Sequence, residues 1–273
     1  MNEGLSATTA AFTIQEGTIT IRDQRLFYRR MTSPRLAADT RPNLVFLHEA
    51  LGCTAMWHDF PDWVACDTGL STIVYDRSGY GRSPDQRPPR GKDYLHREAL
   101  KVLPRLLDDL QIERAILIGH SDGGSIALLA AAACPDRIAG IVTEAAHVFV
   151  ESLTLEGIRE TVAAYETRRL EQRLARYHGA KGQRLFFAWA DTWQSASFCN
   201  WNIEDCLGRI QCPALIIQGR EDPYGSPRQV ESIVTGIGSQ AIPMLIPACG
   251  HSPHRDRPES VREAIARFVR PLR

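Results

Sequence analysis

The chain has 273 residues, 44% of them hydrophobic, and its 32 basic and 32 acidic side chains leave a formal net charge of zero. That length and apolar content suffice for one sizeable core, so a single α/β domain with an insertion fits better than two independent domains. The charge balance, with no basic stripe interleaved with aromatics, argues against a nucleic-acid partner.

Met1 to Thr13 lacks a basic segment followed by an apolar core, and no stretch approaches the roughly twenty apolar residues needed to span a bilayer. The polar start reads as a disordered tail, with neither export nor a membrane partner indicated. Thr18 to Arg30 alternates apolar and polar residues around Arg22-Asp23-Gln24, which predicts an antiparallel hairpin at a sheet edge. Leu44 to Leu47 and Ser71 to Tyr75 are continuous apolar runs of the kind that a sheet buried on both faces requires. Asp93 to Leu110 carries a helical pattern.

Ala115-Ile116-Leu117-Ile118 then reads as a buried strand leading into Gly119-His120-Ser121-Asp122-Gly123, and Ser125 to Ala130 as a helix. Gly-x-Ser-x-Gly between strand and helix is a nucleophile elbow, in which small flanking residues permit the strained turn that lifts the serine hydroxyl out of the sheet. Ile138 to Val142 predicts the next strand. A long insertion follows, from about His147 to Ile210, with an amphipathic helical pattern (Leu155, Ile158, Val162, Tyr165, Leu170, Leu174, Tyr177) and then a cluster of aromatics (Phe186, Phe187, Trp189, Trp193, Phe198, Trp201). Arg168-Arg169, flanked by Glu166 and Glu171, is the pattern of a solvated helix face. Ala214 to Ile217 leads into Gly219-Arg220-Glu221-Asp222-Pro223. Met244 to Pro247 leads into Cys249-Gly250-His251-Ser252-Pro253-His254, and Val261 to Val269 closes the pattern with a helix. Alternating strands and helices predict a mostly parallel sheet with helices on both faces.

A serine hydroxyl is a poor nucleophile near neutral pH, so it needs a histidine to take its proton and a carboxylate to orient that histidine. Candidates for both stand at strand ends downstream: Asp222 with its neighbour Glu221, and His251 with its rival His254. Asp222, just before Pro223, is the better placed acid, and His254 is expected at the rim or in a first helical turn. His120 should point away from the hydroxyl and pack.

His48-Glu49-Ala50-Leu51-Gly52, Asp76-Arg77-Ser78-Gly79-Tyr80-Gly81-Arg82-Ser83, the elbow and the Asp222 and His251 turns together resemble the α/β-hydrolase superfamily, over nearly the whole chain. The resemblance implies Ser121 as nucleophile, His251 as general base and then acid, and Asp222 as the orienting carboxylate. It also implies an oxyanion hole made by the backbone N–H groups of Asp122 and Ala50. Core segments 1–146 and 211–273 would then carry a helical lid, 147–210, inserted after the sixth strand, and that lid would set substrate choice. His48 and Asp76-Arg77 are expected to hold loops rather than perform chemistry, and His147 to serve as a hinge histidine that could also reach substrate.

Trp57, Phe149 and Trp193 are the residues expected to wall the substrate pocket, favouring an apolar or aromatic acyl or leaving group. Glu49 and Asp122 put two acids beside the oxyanion hole. Negative charge there opposes catalysis, so both carboxylates are expected to point away and be paired; for Glu49, a helix cap or an arginine is the alternative expectation.

The seven cysteines are odd in number and lack C-x-x-C pairs, so neither a disulfide framework nor a zinc site is suggested, and reduced thiols fit a cytoplasmic location. Cys249 reads as a small apolar residue in a tight turn. No metal or organic cofactor has a motif. The expected function is hydrolysis of a small carboxylic ester through an acyl-enzyme. Carbon-carbon hydrolysis of a ring-cleavage dienone acid, thioesterase or lactonase chemistry, and ligand sensing with negligible turnover stand as alternatives. The partner is a small-molecule substrate, and the oligomeric state is open, a homodimer included.

Overall fold

A computed structural model describes residues 12–34, 41–84 and 90–273. The tail expected at the N-terminus falls almost wholly on residues 1–11, outside the described residues. Eight strands form one sheet in the order β1-β2-β4-β3-β5-β6-β7-β8. β1 (Thr13–Ile21) and β2 (Gln24–Thr32) are the predicted hairpin, antiparallel to each other and, through β2, to β4. β3 (Asn43–Leu47), β4 (Thr72–Tyr75), β5 (Ala115–His120), β6 (Ile138–Glu144), β7 (Ala214–Gly219) and β8 (Ala241–Ile246) run parallel.

The apolar runs are continuous because both sheet faces are covered. Val45, Leu47 and Leu117 belong to one hydrophobic cluster, and their strand neighbours Leu44, Phe46, Ile116 and Ile118 to the other. A period of two sends successive side chains to opposite faces, so each strand feeds both clusters.

The helices in chain order are α1 (Phe60–Thr68), α2 (Tyr94–Arg97), α3 (Leu103–Asp109), α4 (Asp122–Ala133), α5 (Ser152–Ala163), α6 (Leu170–His178), α7 (Gly182–Gln194), α8 (Glu204–Leu207), α9 (Pro227–Ile237), α10 (Pro253–Asp256) and α11 (Pro258–Val269). The single helix expected over Asp93 to Leu110 is instead α2 and α3 joined by a π-helical turn, Glu98–Val102. Pro104 is the physical reason, since a residue without an N–H cannot continue the ladder and a wider turn absorbs the mismatch. Helices α5 to α8 all lie between β6 and β7. No helix among the described residues is long and apolar enough to cross a membrane.

Parallel strands place their carboxyl ends on one rim. The turns after β3, β5, β7 and β8 therefore meet there, although Glu49 and His251 are some two hundred residues apart in the chain.

Candidate active site

Ser121 joins β5 to α4 with φ 54° and ψ −116°, a left-handed conformation that a non-glycine residue adopts only when its surroundings impose it. The flanking glycines show what imposes it. A Cβ on Gly119 would run into the Gly123 carbonyl, and one on Gly123 into the Leu47 carbonyl of β3. Helix α4 thus sits directly against the strand and holds the serine at its N-terminus.

The Ser121 hydroxyl lies 3.0 Å from His251 Nε2, and His251 Nδ1 lies 2.9 Å from both carboxylate oxygens of Asp222. An Nδ1–H donated to the carboxylate leaves Nε2 free to accept the serine proton. The Asp222 side chain is fully buried, and Oδ1 also accepts the Tyr224 N–H at 2.9 Å. Burial alone would depress the imidazole and raise the acid. The attraction between them, with its hydrogen bonds, outweighs burial, holding His251 above its ordinary value and Asp222 below its own. Glu221 faces elsewhere and accepts the Cys249 N–H at 2.9 Å.

Ala50 and Asp122 are the residues expected to supply the oxyanion hole. Arg77 donates to the Glu49 carbonyl at 2.7 Å, and His48 Nδ1–H to the same oxygen at 2.7 Å. In a trans peptide the carbonyl and the next N–H point opposite ways, so fixing the Glu49 oxygen on Arg77 turns the Ala50 N–H from it. Ala50 and Asp122 both line the cavity above Ser121. Neither N–H has a backbone acceptor in the turns and caps of the described residues. The pair can accept negative charge growing on a carbonyl oxygen.

Asp122 turns its carboxylate away from this hole, as expected, into a buried nest: Arg90 at 2.8 Å, Arg77 at 3.3 Å and the Tyr94 hydroxyl at 2.8 Å. Trp193 Nε1–H donates to that hydroxyl at 3.1 Å. Glu49 departs from expectation. Among the described residues it caps no helix and pairs with no arginine; its carboxylate lies over Gly52 in the cavity wall, with Oε2 3.9 Å from His120 Nδ1. Arg77, the nearest candidate partner, is engaged by the Glu49 carbonyl and by Asp122 instead. Burial pushes the Glu49 carboxyl up from its ordinary value, a shift that disfavours negative charge beside the oxyanion hole.

His120 also departs from a simple packing role. Its Nε2–H donates to the His251 carbonyl at 2.6 Å and its ring leans on the His251 ring at 5.2 Å, so it anchors the general base through its backbone. Burial holds His120 well below its ordinary value, in keeping with a neutral ring. His254 does lie in a short helical turn, α10, but points inward rather than to the rim, with Nδ1 2.9 Å from the buried Glu144 carboxylate. His147 donates Nε2–H to the Tyr224 carbonyl at 2.8 Å and lines the cavity. The Cys249 thiol is buried and pushed up to about 11, an unreactive state.

The cavity measures about 420 Å³, the size of a small-molecule site. Trp193 lines it; Trp57 and Phe149 do not. Trp57 ends a 3-10 turn, Thr54–Trp57, that directs its indole beneath the sheet rim against His254 (4.6 Å) and Phe46 (5.2 Å). Phe149 pairs with Asn202 in an isolated β-bridge and lies under the Arg228 guanidinium, in a groove away from Ser121. Their places in the wall are taken by Phe186 and Trp189 of α7 and by Tyr224, whose ring meets His251 edge-on at 4.8 Å. Tyr224 escaped sequence reasoning although it stands two residues beyond the orienting acid, a position that faces the base whenever that acid does.

A model of the alpha/beta hydrolase family matches residues 44–264. Human serine hydrolase BPHL is 34% identical over 161 residues, which cover 56% of this chain and 54% of that relative, so the chain spans about half of its length. The 2-hydroxy-6-oxo-6-phenylhexa-2,4-dienoate hydrolase of Comamonas testosteroni is 25% identical over 233 residues, 75% of this chain and 78% of the relative. The solved structure of the enzyme of that name from Rhodococcus sp. strain RHA1 shares the fold with a TM-score of 0.79 at 15% identity, covering 95% of this chain and 99% of its own.

Proposed function

This chain belongs to the α/β hydrolase family, and on that premise we propose that it is a serine hydrolase cleaving a small carboxylic ester through an acyl-enzyme on Ser121. The observation that carries the reading is the hydrogen-bonded line from Ser121 Oγ through His251 to Asp222, at 3.0 and 2.9 Å.

Ser121 Oγ attacks the ester carbonyl carbon while His251 Nε2 takes its proton. The carbonyl oxygen becomes an oxyanion, accepted by the N–H groups of Ala50 and Asp122. The tetrahedral species collapses as His251 returns the proton to the departing alcohol. Water then enters, gives a proton to His251 and attacks the acyl carbon, and a second collapse frees the acid and restores the serine. Segment 147–210 serves as the lid, with Trp193, Phe186 and Trp189 excluding water from the acyl group.

Carbon-carbon hydrolysis of a dienone acid is the second reading, favoured by the likeness to the Comamonas testosteroni hydrolase. A panel of aryl esters, thioesters, lactones and dienone acids, run beside Ser121→Ala, decides between them. A chromogenic short-chain ester is expected to give a burst of alcohol followed by steady turnover, with Ser121→Ala slower by about a thousandfold or more. A variant as fast as the parent refutes the mechanism. A preference for the dienone acid replaces the ester reading with the second.

A further inference from the structure

The mouth of the cavity is one-sided in charge. Arg173 and Arg176 on α6 and Arg255 on α10 line it, all three solvent-exposed and carried by two different elements. None of them takes part in an ion pair among the described residues. The acids in the same wall do not balance them. Asp122 is held by Arg77 and Arg90, and the Glu49 carboxylate lies over Gly52, 3.9 Å from the His120 ring.

Helix α6 carries this polarity in its spacing. Leu170 and Leu174 line the cavity one turn apart, and Arg173 and Arg176 are offset on the same helix. A substrate lying along α6 therefore meets apolar side chains between the reacting carbonyl and the mouth, and positive charge at the mouth.

We propose that this site takes anionic substrates: acyl esters or thioesters that carry a carboxylate or phosphate remote from the scissile carbonyl, held at the mouth by Arg173, Arg176 and Arg255. The orientation follows from where the charges sit. An anion deep in the pocket would face the oxyanion itself; at the mouth it meets three guanidinium groups and keeps part of its water shell. This inference rests on the hydrolase reading and adds a substrate class to it.

The test compares matched substrates. On the acyl side, the p-nitrophenyl monoester of adipic acid is set against p-nitrophenyl hexanoate. On the leaving-group side, hexanoyl-coenzyme A is set against a neutral thioester of the same acid. Which pair shows the preference tells whether the anion belongs to the acyl chain or to the leaving group. At low ionic strength kcat/KM is expected to favour the anionic member of one pair by about tenfold, because exposed charge pairs are individually weak and three act together. The ratio should fall toward one in about 1 M salt, where the Debye length is about 3 Å. It should also fall in Arg173→Gln/Arg176→Gln and, independently, in Arg255→Gln, which stands on another element and guards against a damaged α6. Turnover that depends on Ser121 but shows no anionic preference, or a preference indifferent to salt and to all three arginines, overturns this inference and leaves the hydrolase reading standing. Absence of Ser121-dependent turnover on every substrate sinks both.

Discussion

Replacing Arg77 with methionine isolates what one buried guanidinium contributes to both stability and catalysis. Its side chain is 6% exposed and faces three oxygen acceptors at once: the Asp122 carboxylate at 3.3 Å, the His48 carbonyl at 3.3 Å and the Glu49 carbonyl at 2.7 Å. Methionine fills much of the volume and satisfies none of them. Removing one partner of a buried pair costs about 3–5 kcal/mol, because the other charge stays buried. Here Asp122 keeps Arg90 and Tyr94, each at 2.8 Å, so the loss should lie near the lower end, about 3 kcal/mol. Urea denaturation measures it. The catalytic effect has a different signature. With the Glu49 carbonyl no longer tied down, the Ala50 N–H loses its aim, and an oxyanion donor is worth about a hundred- to a thousandfold when lost outright. His48 still holds the same carbonyl at 2.7 Å, so a partial loss of roughly ten- to a hundredfold in kcat is expected, with KM little changed because the donor acts on the transition state. Arg77→Lys should recover only part, since a point charge cannot span three acceptors. A folded Arg77→Met enzyme with kcat within twofold of the parent would refute the reasoning that Arg77 positions the oxyanion hole.

Two further substitutions test the electrostatics. Asp222→Asn removes the charge that holds His251 above its ordinary value. Activity needs the neutral imidazole and so rises with pH through the His251 pKa; in the variant that rise should move to lower pH while the plateau drops by about a thousandfold or more. A pH profile of kcat/KM reads both, and an unmoved limb contradicts the assignment. Glu49→Gln mimics the neutral acid that burial favours. Ionisation of Glu49 as pH rises through its raised pKa should oppose the oxyanion and lower kcat, so that decline in the parent should be absent in the variant. The same sign applies to stability: a carboxyl whose folded pKa is raised stabilises the fold least at high pH, so Glu49→Gln should gain on the parent there, as measured by thermal unfolding across pH. Equal behaviour of the two proteins across the pH range refutes the protonated state.

Legibility in the sequence followed the range of the interaction. The elbow was readable because the strain at Ser121 is relieved within five residues, by glycines whose absent Cβ atoms let α4 rest against β3. Asp222 and His251 were readable for a related reason: a parallel sheet sends every strand end to one rim, so a residue's distance past its strand predicts its place. The pocket wall was not. Whether Trp57 enters the cavity depends on how the Thr54–Trp57 turn is wound, and whether Phe149 does depends on its bridge to Asn202, fifty-three positions away. Hydrophobic patterning assigns both to an interior without saying which interior.

The charges beside the oxyanion hole show the same limit in sharper form. Glu49 and Asp122 pose one problem, a carboxylate where negative charge must grow, and the fold answers it twice by different physics. Asp122 is paired with guanidinium groups from two other loops, and one of them, Arg77, also tethers the Glu49 carbonyl that precedes the Ala50 N–H. Glu49 has no such partner among the described residues, and burial raises its pKa. Because Arg77 serves both the Asp122 carboxylate and the Glu49 carbonyl, it cannot also pair the Glu49 carboxylate. Pairing one acid therefore leaves burial, which raises the pKa of Glu49, as what disfavours charge on the other, and the two acids are coupled through a single arginine.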